Sequence, residues 1–266
     1  MNAHNLDRGL LYGDGFFTTM KVVDNQIHRW PLHLERISFS AERLKFHQLD
    51  ADKIYHDLIN FIAKQPEKDG ALRLTISRGA SGKNERGYGI PKDPTYQFYM
   101  QWSPLNLSSI AALGKGVTLA ICETPISQNK ALAGIKHLNR LDQVLATSEI
   151  SEDCFDSIML NGKFMICGSK SNIYFYVKNR WLTPKVNKAG VNGTARRWLL
   201  HTQNNVYQSK FGLEILGRAE YCLVSNAIVG IIPVTQIQLA DKVVTFKASP
   251  DLQQLQADYN KVTVNY

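Results

Sequence analysis

Cysteine is scarce, with four residues in 266: Cys122, Cys154, Cys167 and Cys222 lie far apart, with no paired spacing and no histidines at metal-ligand intervals. That excludes a disulfide framework and a Cys/His metal centre, and reads as free thiols in a reducing compartment. Long apolar runs are missing as well. The best stretch, 227–234, is far too short to span a bilayer, and residues 1–8 are polar with no signal core. A cytoplasmic chain with no membrane partner is therefore expected. Basic runs are absent although the balance is basic, with 31 Lys and Arg against 23 Asp and Glu and a net charge of +8. Scattered charge with no aromatic-interleaved basic stretch excludes a nucleic-acid groove and leaves a small anionic substrate as the partner. Phosphate-loop signatures are lacking too. Gly79-Ala80-Ser81-Gly82-Lys83 has the wrong spacing for a nucleotide loop, and Gly13-Asp14-Gly15 has no third glycine. Neither a zincin helix nor a Gly-x-Ser-x-Gly elbow occurs, so no metal and no hydrolytic nucleophile is read.

What is there is ordinary globular composition, 44% hydrophobic and 20% charged, on a chain long enough for two domains. Leu34, Ile37, Ala41 and Leu44 form a helical stripe over 29–46, with Pro31 where a first-turn proline is tolerated. Asp50 or Asp52 caps a second helix carrying Ile54, Leu58 and Ile62. Leu72, Leu74 and Ile76 alternate with polar residues as in a half-buried strand, and an aromatic strand follows at 96–102 after the long loop 78–94. A strand at 117–121 leads into 123–134, which has no period and reads as the connection between domains 1–112 and 113–266. The second domain opens with a helix over 139–150 whose Leu141, Val144, Leu145 and Ser148 share a face. A meander with turns at Asn161-Gly162 and Lys178-Asn179 comes next, then a helix after Gly193, strands near Val206 and Tyr221, and a terminal helix from Pro250 with Ser249 as N-cap. The class is α+β. Gly190-Val191-Asn192-Gly193-Thr194 runs into an amphipathic helix, and free amides at a helix start make an anion site.

Longer strings carry a resemblance. Tyr12-Gly13-Asp14-Gly15-Phe16-Phe17-Thr18-Thr19, His33-Leu34-Glu35-Arg36, Ser77-Arg78-Gly79 and Arg86-Gly87-Tyr88 occur in order. Ala133-Gly134-Ile135-Lys136-His137-Leu138-Asn139-Arg140-Leu141 and Ser225-Asn226-Ala227 follow. Over nearly the whole chain this resembles the fold type IV, D-amino-acid aminotransferase-like enzymes dependent on pyridoxal phosphate, in the aminodeoxychorismate lyase form. The resemblance implies that Lys136 attaches the cofactor aldehyde and then moves protons as a free amine. Arg36 pairs with the cofactor phosphate, joined by Val191, Asn192, Ser225 and Asn226, while Asn172 and Cys167 lie toward the ring. Arg78, Arg86, Tyr88 and Thr18 hold the substrate, a cyclohexadiene bearing two carboxylates and an amine. A homodimer is implied as well.

Two departures stand out. Where family members carry a glutamate five residues before the asparagine at 172, this chain has Cys167. A neutral thiol holds a ring nitrogen protonated poorly. Three readings follow: an elimination that tolerates a weaker electron sink because it ends in an aromatic ring, another acid reaching the nitrogen, or a degenerate cofactor binder. A fold type IV aminotransferase acting on D-amino or branched-chain amino acids is the alternative activity. The second departure is the short chain before Asp7-Arg8-Gly9, implying a trimmed opening strand or a misassigned start.

Overall fold

A computed structural model describes residues 6–81 and 87–261, and the chain divides into two units: Met1–Leu105 with Ile135–Arg140, and Asn106–Gly134 with Leu141–Tyr266. In the first unit a helical turn, α1 (Arg8–Tyr12), is capped by the Asp7 carboxylate, which accepts from the Gly9 amide. Strands β1 (Gly15–Val23), β2 (Gln26–Ile27), β3 (Gly70–Ser77) and β4 (Gln97–Pro104) form an antiparallel sheet in the order β2-β1-β3-β4. Helices α2 (Trp30–Leu44) and α3 (Ala51–Ile62) belong to the same unit, and α3 starts where Asp50 accepts from the Lys53 amide. The alternation in β1 and β3 is what divides the sheet. Phe16, Met20, Val22, Leu72, Leu74 and Ile76 point to one face and form one core with Ile37 and Ala41 of α2 and Ile54, Leu58 and Ile62 of α3. Phe17, Thr19, Arg73 and Thr75 point to the other face.

The second unit opens at α4 (Leu107–Ala112), which Asn106 caps by accepting from the Ser109 amide. The unit therefore begins at 106, earlier than the 113 expected from sequence. A nine-stranded sheet follows: β5 (Val117–Ile121), β6 (Asp156–Asn161), β7 (Phe164–Gly168), β8 (Asn172–Val177), β9 (Arg180–Pro184), β10 (Val206–Ser209), β11 (Tyr221–Asn226), β12 (Gly230–Gln238) and β13 (Val243–Thr245). Its order is β10-β9-β8-β11-β12-β5-β6-β7, with β13 on β12. The expected meander is corrected. β6–β7 and β8–β9 are hairpins, but β8 pairs with β11 rather than β7, because Ser169 and Ser171 turn the chain away onto the Asp156 carboxylate. Helices α5 (Leu141–Ser148), α6 (Thr194–Thr202) and α7 (Leu252–Asn260) complete the unit. The last starts at Leu252 instead of Pro250, and Ser249 contributes its carbonyl to the Leu252 amide rather than a side-chain cap.

Residues 123–134 lie within the second unit rather than linking the two. Their order comes from α5: Asp142 accepts from the amide and hydroxyl of Ser127, and Glu149 from the amides of Glu123 and Thr124. Hooks of this kind leave no hydrophobic period. Among the described residues no helix is long and apolar enough to cross a membrane, and no group of three or more His, Cys, Asp or Glu is placed to hold a metal ion.

Candidate active site

Lys136 was expected in the second domain, and the structure corrects this. The Phe17 amide donates to the Lys136 carbonyl, the Leu138 amide donates to the Gly15 carbonyl, and His137 bridges Phe16. β2 occupies the free edge of β1 only at Val22 and Val23, so the Gly15–Phe17 end is open to this short strand, which joins the first unit. The Lys136 amine is thereby fixed 4.5 Å from the centre of the Phe17 ring, and the Arg73 guanidinium lies 3.9 Å from the same centre. Burial alone pushes the Arg73 guanidinium below its ordinary pKa, with no carboxylate offsetting it. Thr19, half-buried, is the β-ladder partner of Arg73.

Arg36 reaches the inner side of the sheet from α2. Its Nη1 donates to Thr18 Oγ1 at 3.2 Å, and that hydroxyl lies 2.7 Å from His33 Nδ1. The His33-x-x-Arg36 spacing is one helical turn, which brings both side chains to Thr18. Thr18 is 1% exposed and is committed to orienting Arg36. Strand alternation turns Thr19, not Thr18, to the face that bears Lys136.

Arg78 is engaged within the first unit too. It is buried against Phe46, its Nε donates to Asp14, and its Nη1 and Nη2 donate to the carbonyls of Lys45 and Leu44. These bonds tie the end of β3 to the turn after α1 and to the end of α2. Arg8 donates to Asp14 Oδ2, which Arg78 also reaches, and to the carbonyls of Gly87 and Tyr88. The Tyr88 side chain is exposed and rests edge-on against Tyr12. Arg86 lies outside the described residues. Asn139 donates to the Gly13 carbonyl and fills the space that a side chain at Gly13 would need, Gly13 itself having φ +64°.

The second unit gathers Asn172, Ser225, Val191 and Gly193. Asn172 and Ser225 are ladder partners on β8 and β11, the Ser225 hydroxyl bonds Tyr174 at 2.9 Å, and Asn172 Nδ2 donates to the Val191 carbonyl at 3.0 Å. Burial raises the Tyr174 phenol far above its usual pKa, so it stays neutral. The Asn192 amide donates to the Gly134 carbonyl, and its side-chain oxygen accepts from Arg196. Asn226 closes a turn by accepting from the amides of Ile228 and Val229. The Asn192 side chain is thus engaged by Arg196 and that of Asn226 by the turn it closes. The open donors sit one step further on, where Gly193 caps α6 without a side-chain bond and the Thr194 hydroxyl is buried with no hydrogen-bond partner. A side chain at Gly193 would collide with Asn172 Oδ1, so the helix start is bare. An orphaned hydroxyl beside the first amides of a helix fits a phosphate. Thr194 stood inside the motif read from sequence, but its burial was not visible there.

Cys167 is buried among Cys122, Ile126, Met159, Ile166 and Ala189, facing Gly190. The nearby acid, Asp156, cannot substitute for it. Met159 pairs with Cys167 and Ile158 with Gly168, which puts Asp156 on the opposite face, accepting from Ser169 Oγ and Ser171 Oγ at 2.6 Å each.

The amino-transferase class IV family matches residues 15–237. The aminodeoxychorismate lyase of Vibrio harveyi is 28% identical over 260 residues, covering 96% of this chain and 94% of its own. A D-alanine aminotransferase of Staphylococcus epidermidis is 25% identical over 264 residues, covering 96% and 90%. The crystal structure of 4-amino-4-deoxychorismate lyase from Pseudomonas aeruginosa superposes with a TM-score of 0.86 at 28% identity, covering 97% of this chain and 93% of that one. Branched-chain amino acid aminotransferase of Escherichia coli shares the fold, with a TM-score of 0.82 at 18% identity over 97% of this chain and 88% of its own.

Proposed function

The chain belongs to the amino-transferase class IV family, and from that premise we propose that it is a lyase that uses pyridoxal phosphate to convert 4-amino-4-deoxychorismate into 4-aminobenzoate and pyruvate, a step toward folate. Bound at Lys136, the cofactor supplies an electron sink for the carbon that bears the substrate nitrogen. The chain's own residues do the rest. In the second unit Thr194 and the amides that open α6 would hold the phosphate; in the first, Thr18 keeps in place Arg36, to which the resemblance gives a phosphate role. With its amine free, Lys136 would take the proton from the carbon bearing nitrogen; the C–O bond to enolpyruvate would break, the ring would become aromatic, and the departing enolpyruvate would take up a proton to give pyruvate. Arg73, a cation on an apolar ring with burial uncompensated, supplies the charge for a substrate carboxylate, with Thr19 beside it.

The observation that carries the lyase over the aminotransferase is Cys167. A buried neutral thiol weakens the sink, which harms a reversible amino transfer more than an elimination driven by aromatisation. The aminotransferase is the second reading, supported by the D-alanine aminotransferases at 25% identity. Offering the protein aminodeoxychorismate and, separately, D-alanine with 2-oxoglutarate distinguishes them. The lyase releases 4-aminobenzoate and makes no glutamate, whereas the aminotransferase does the reverse. A homodimer belongs to the same proposal, supported by the exposed Leu141, Val144 and Leu145 of α5.

A further inference from the structure

The second unit carries a cleft of about 460 Å³, whose lining meets the site described above only at Ile166, the neighbour of Cys167. Four lysines stand around it, Lys163, Lys185, Lys188 and Lys210, and among the described residues no carboxylate lines it. Its apolar part is Phe164, Met165 and Ile166, the last two buried in β7. The Phe164 ring gathers two of the ammonium groups, with Lys210 Nζ 3.6 Å and Lys163 Nζ 5.6 Å from its centre. The backbone under the lysines is pinned. The Lys185 amide donates to the Ser209 carbonyl at 3.1 Å, the Asn129 amide donates to the Lys188 carbonyl at 2.9 Å, and Met165 donates to the Phe211 carbonyl at 3.0 Å. The carboxylate of the exposed Glu214 is held down first by the Gly212 amide and in smaller part by Lys163.

Four like charges around one cleft focus a positive field into it. The volume suits one small molecule, and the apolar floor offers a flat body contact that a bare inorganic ion cannot use. We infer that this cleft is a second binding site, for a small flat molecule carrying two or more negative charges. At its rim Gln128 donates to Asn161 and Asn161 to the Ile126 carbonyl, so Asn187 is the rim amide that supplies a neutral hydrogen bond to the same ligand.

Isophthalate, a flat ring with two carboxylates, is the probe, titrated calorimetrically into the full chain as purified, in low salt. One site per chain is expected. Affinity should fall about tenfold or more in the Lys188→Gln/Lys210→Gln double variant, fall also when salt is raised, and stay unchanged in Lys136→Ala. Because the lysines are exposed, the variants should keep the parent Tm, which is checked alongside. No binding would overturn the inference, as would binding lost in Lys136→Ala, which would assign the anion to the catalytic site. Benzoate or pyrophosphate binding as tightly as isophthalate would overturn the assigned ligand class.

Discussion

Replacing Arg78 by alanine removes the anchors to Asp14, Lys45 and Leu44 at once and leaves two carbonyls and a largely buried carboxylate without their donor. Arg8 remains on Asp14, so the loss is partial, about 3 kcal/mol and a fall of about 6 °C or more in Tm by thermal unfolding. A variant with the parent Tm but a raised KM would return Arg78 to the substrate. Thr194→Val makes the opposite pattern. Its hydroxyl has no partner in the unliganded chain, so stability without cofactor should hold, while the apparent Kd for pyridoxal phosphate rises about tenfold in a spectral titration. Lower Tm with unchanged affinity would make Thr194 a purely structural residue. Cys167→Glu introduces a carboxyl into an apolar cluster, so Tm should fall. The elimination rate should move by less than about tenfold. A gain beyond about a hundredfold would mean that the parent is crippled by its thiol rather than tolerant of it.

At the level of elements, α5 has the stripe that its periodicity predicts, but the stripe faces outward: Leu141, Val144 and Leu145 are 74%, 59% and 55% exposed, and only Ala146 is buried. If the proposed dimer covers that stripe, Val144→Glu should shift the mass measured by light scattering toward the monomer while the far-ultraviolet spectrum stays put. An unchanged mass would place the interface elsewhere. Periodicity made α2, α3, β3, β4 and β5 legible, because each turns one apolar face to a core inside its own unit. It failed where order comes from something else. The 123–134 stretch is held by Asp142 and Glu149, and the Lys136 strand by the open end of β1. The separation of β7 from β8 follows from the serines on Asp156. Site residues were legible as strings but not as orientations. The strings included Thr18, Thr19, Asn192 and Thr194, yet only the strand alternation and the cap of α6 tell which side chain turns toward chemistry.

On the scale of the whole chain, a net charge of +8 without basic runs matches an enzyme of dianionic substrates better than a polymer binder. The charges worth following are local: Arg73 and Lys136 on one phenylalanine, Arg36 on Thr18, and four lysines around a cleft of their own. The central claim is an elimination, and its products test it directly. The purified protein, loaded with pyridoxal phosphate, is given enzymatically generated aminodeoxychorismate, and 4-aminobenzoate and pyruvate are followed together. The account predicts that they appear in equal amounts and that Lys136→Ala abolishes both. A protein that binds the cofactor, makes neither product and instead moves an amino group from D-alanine to an oxo acid would contradict it.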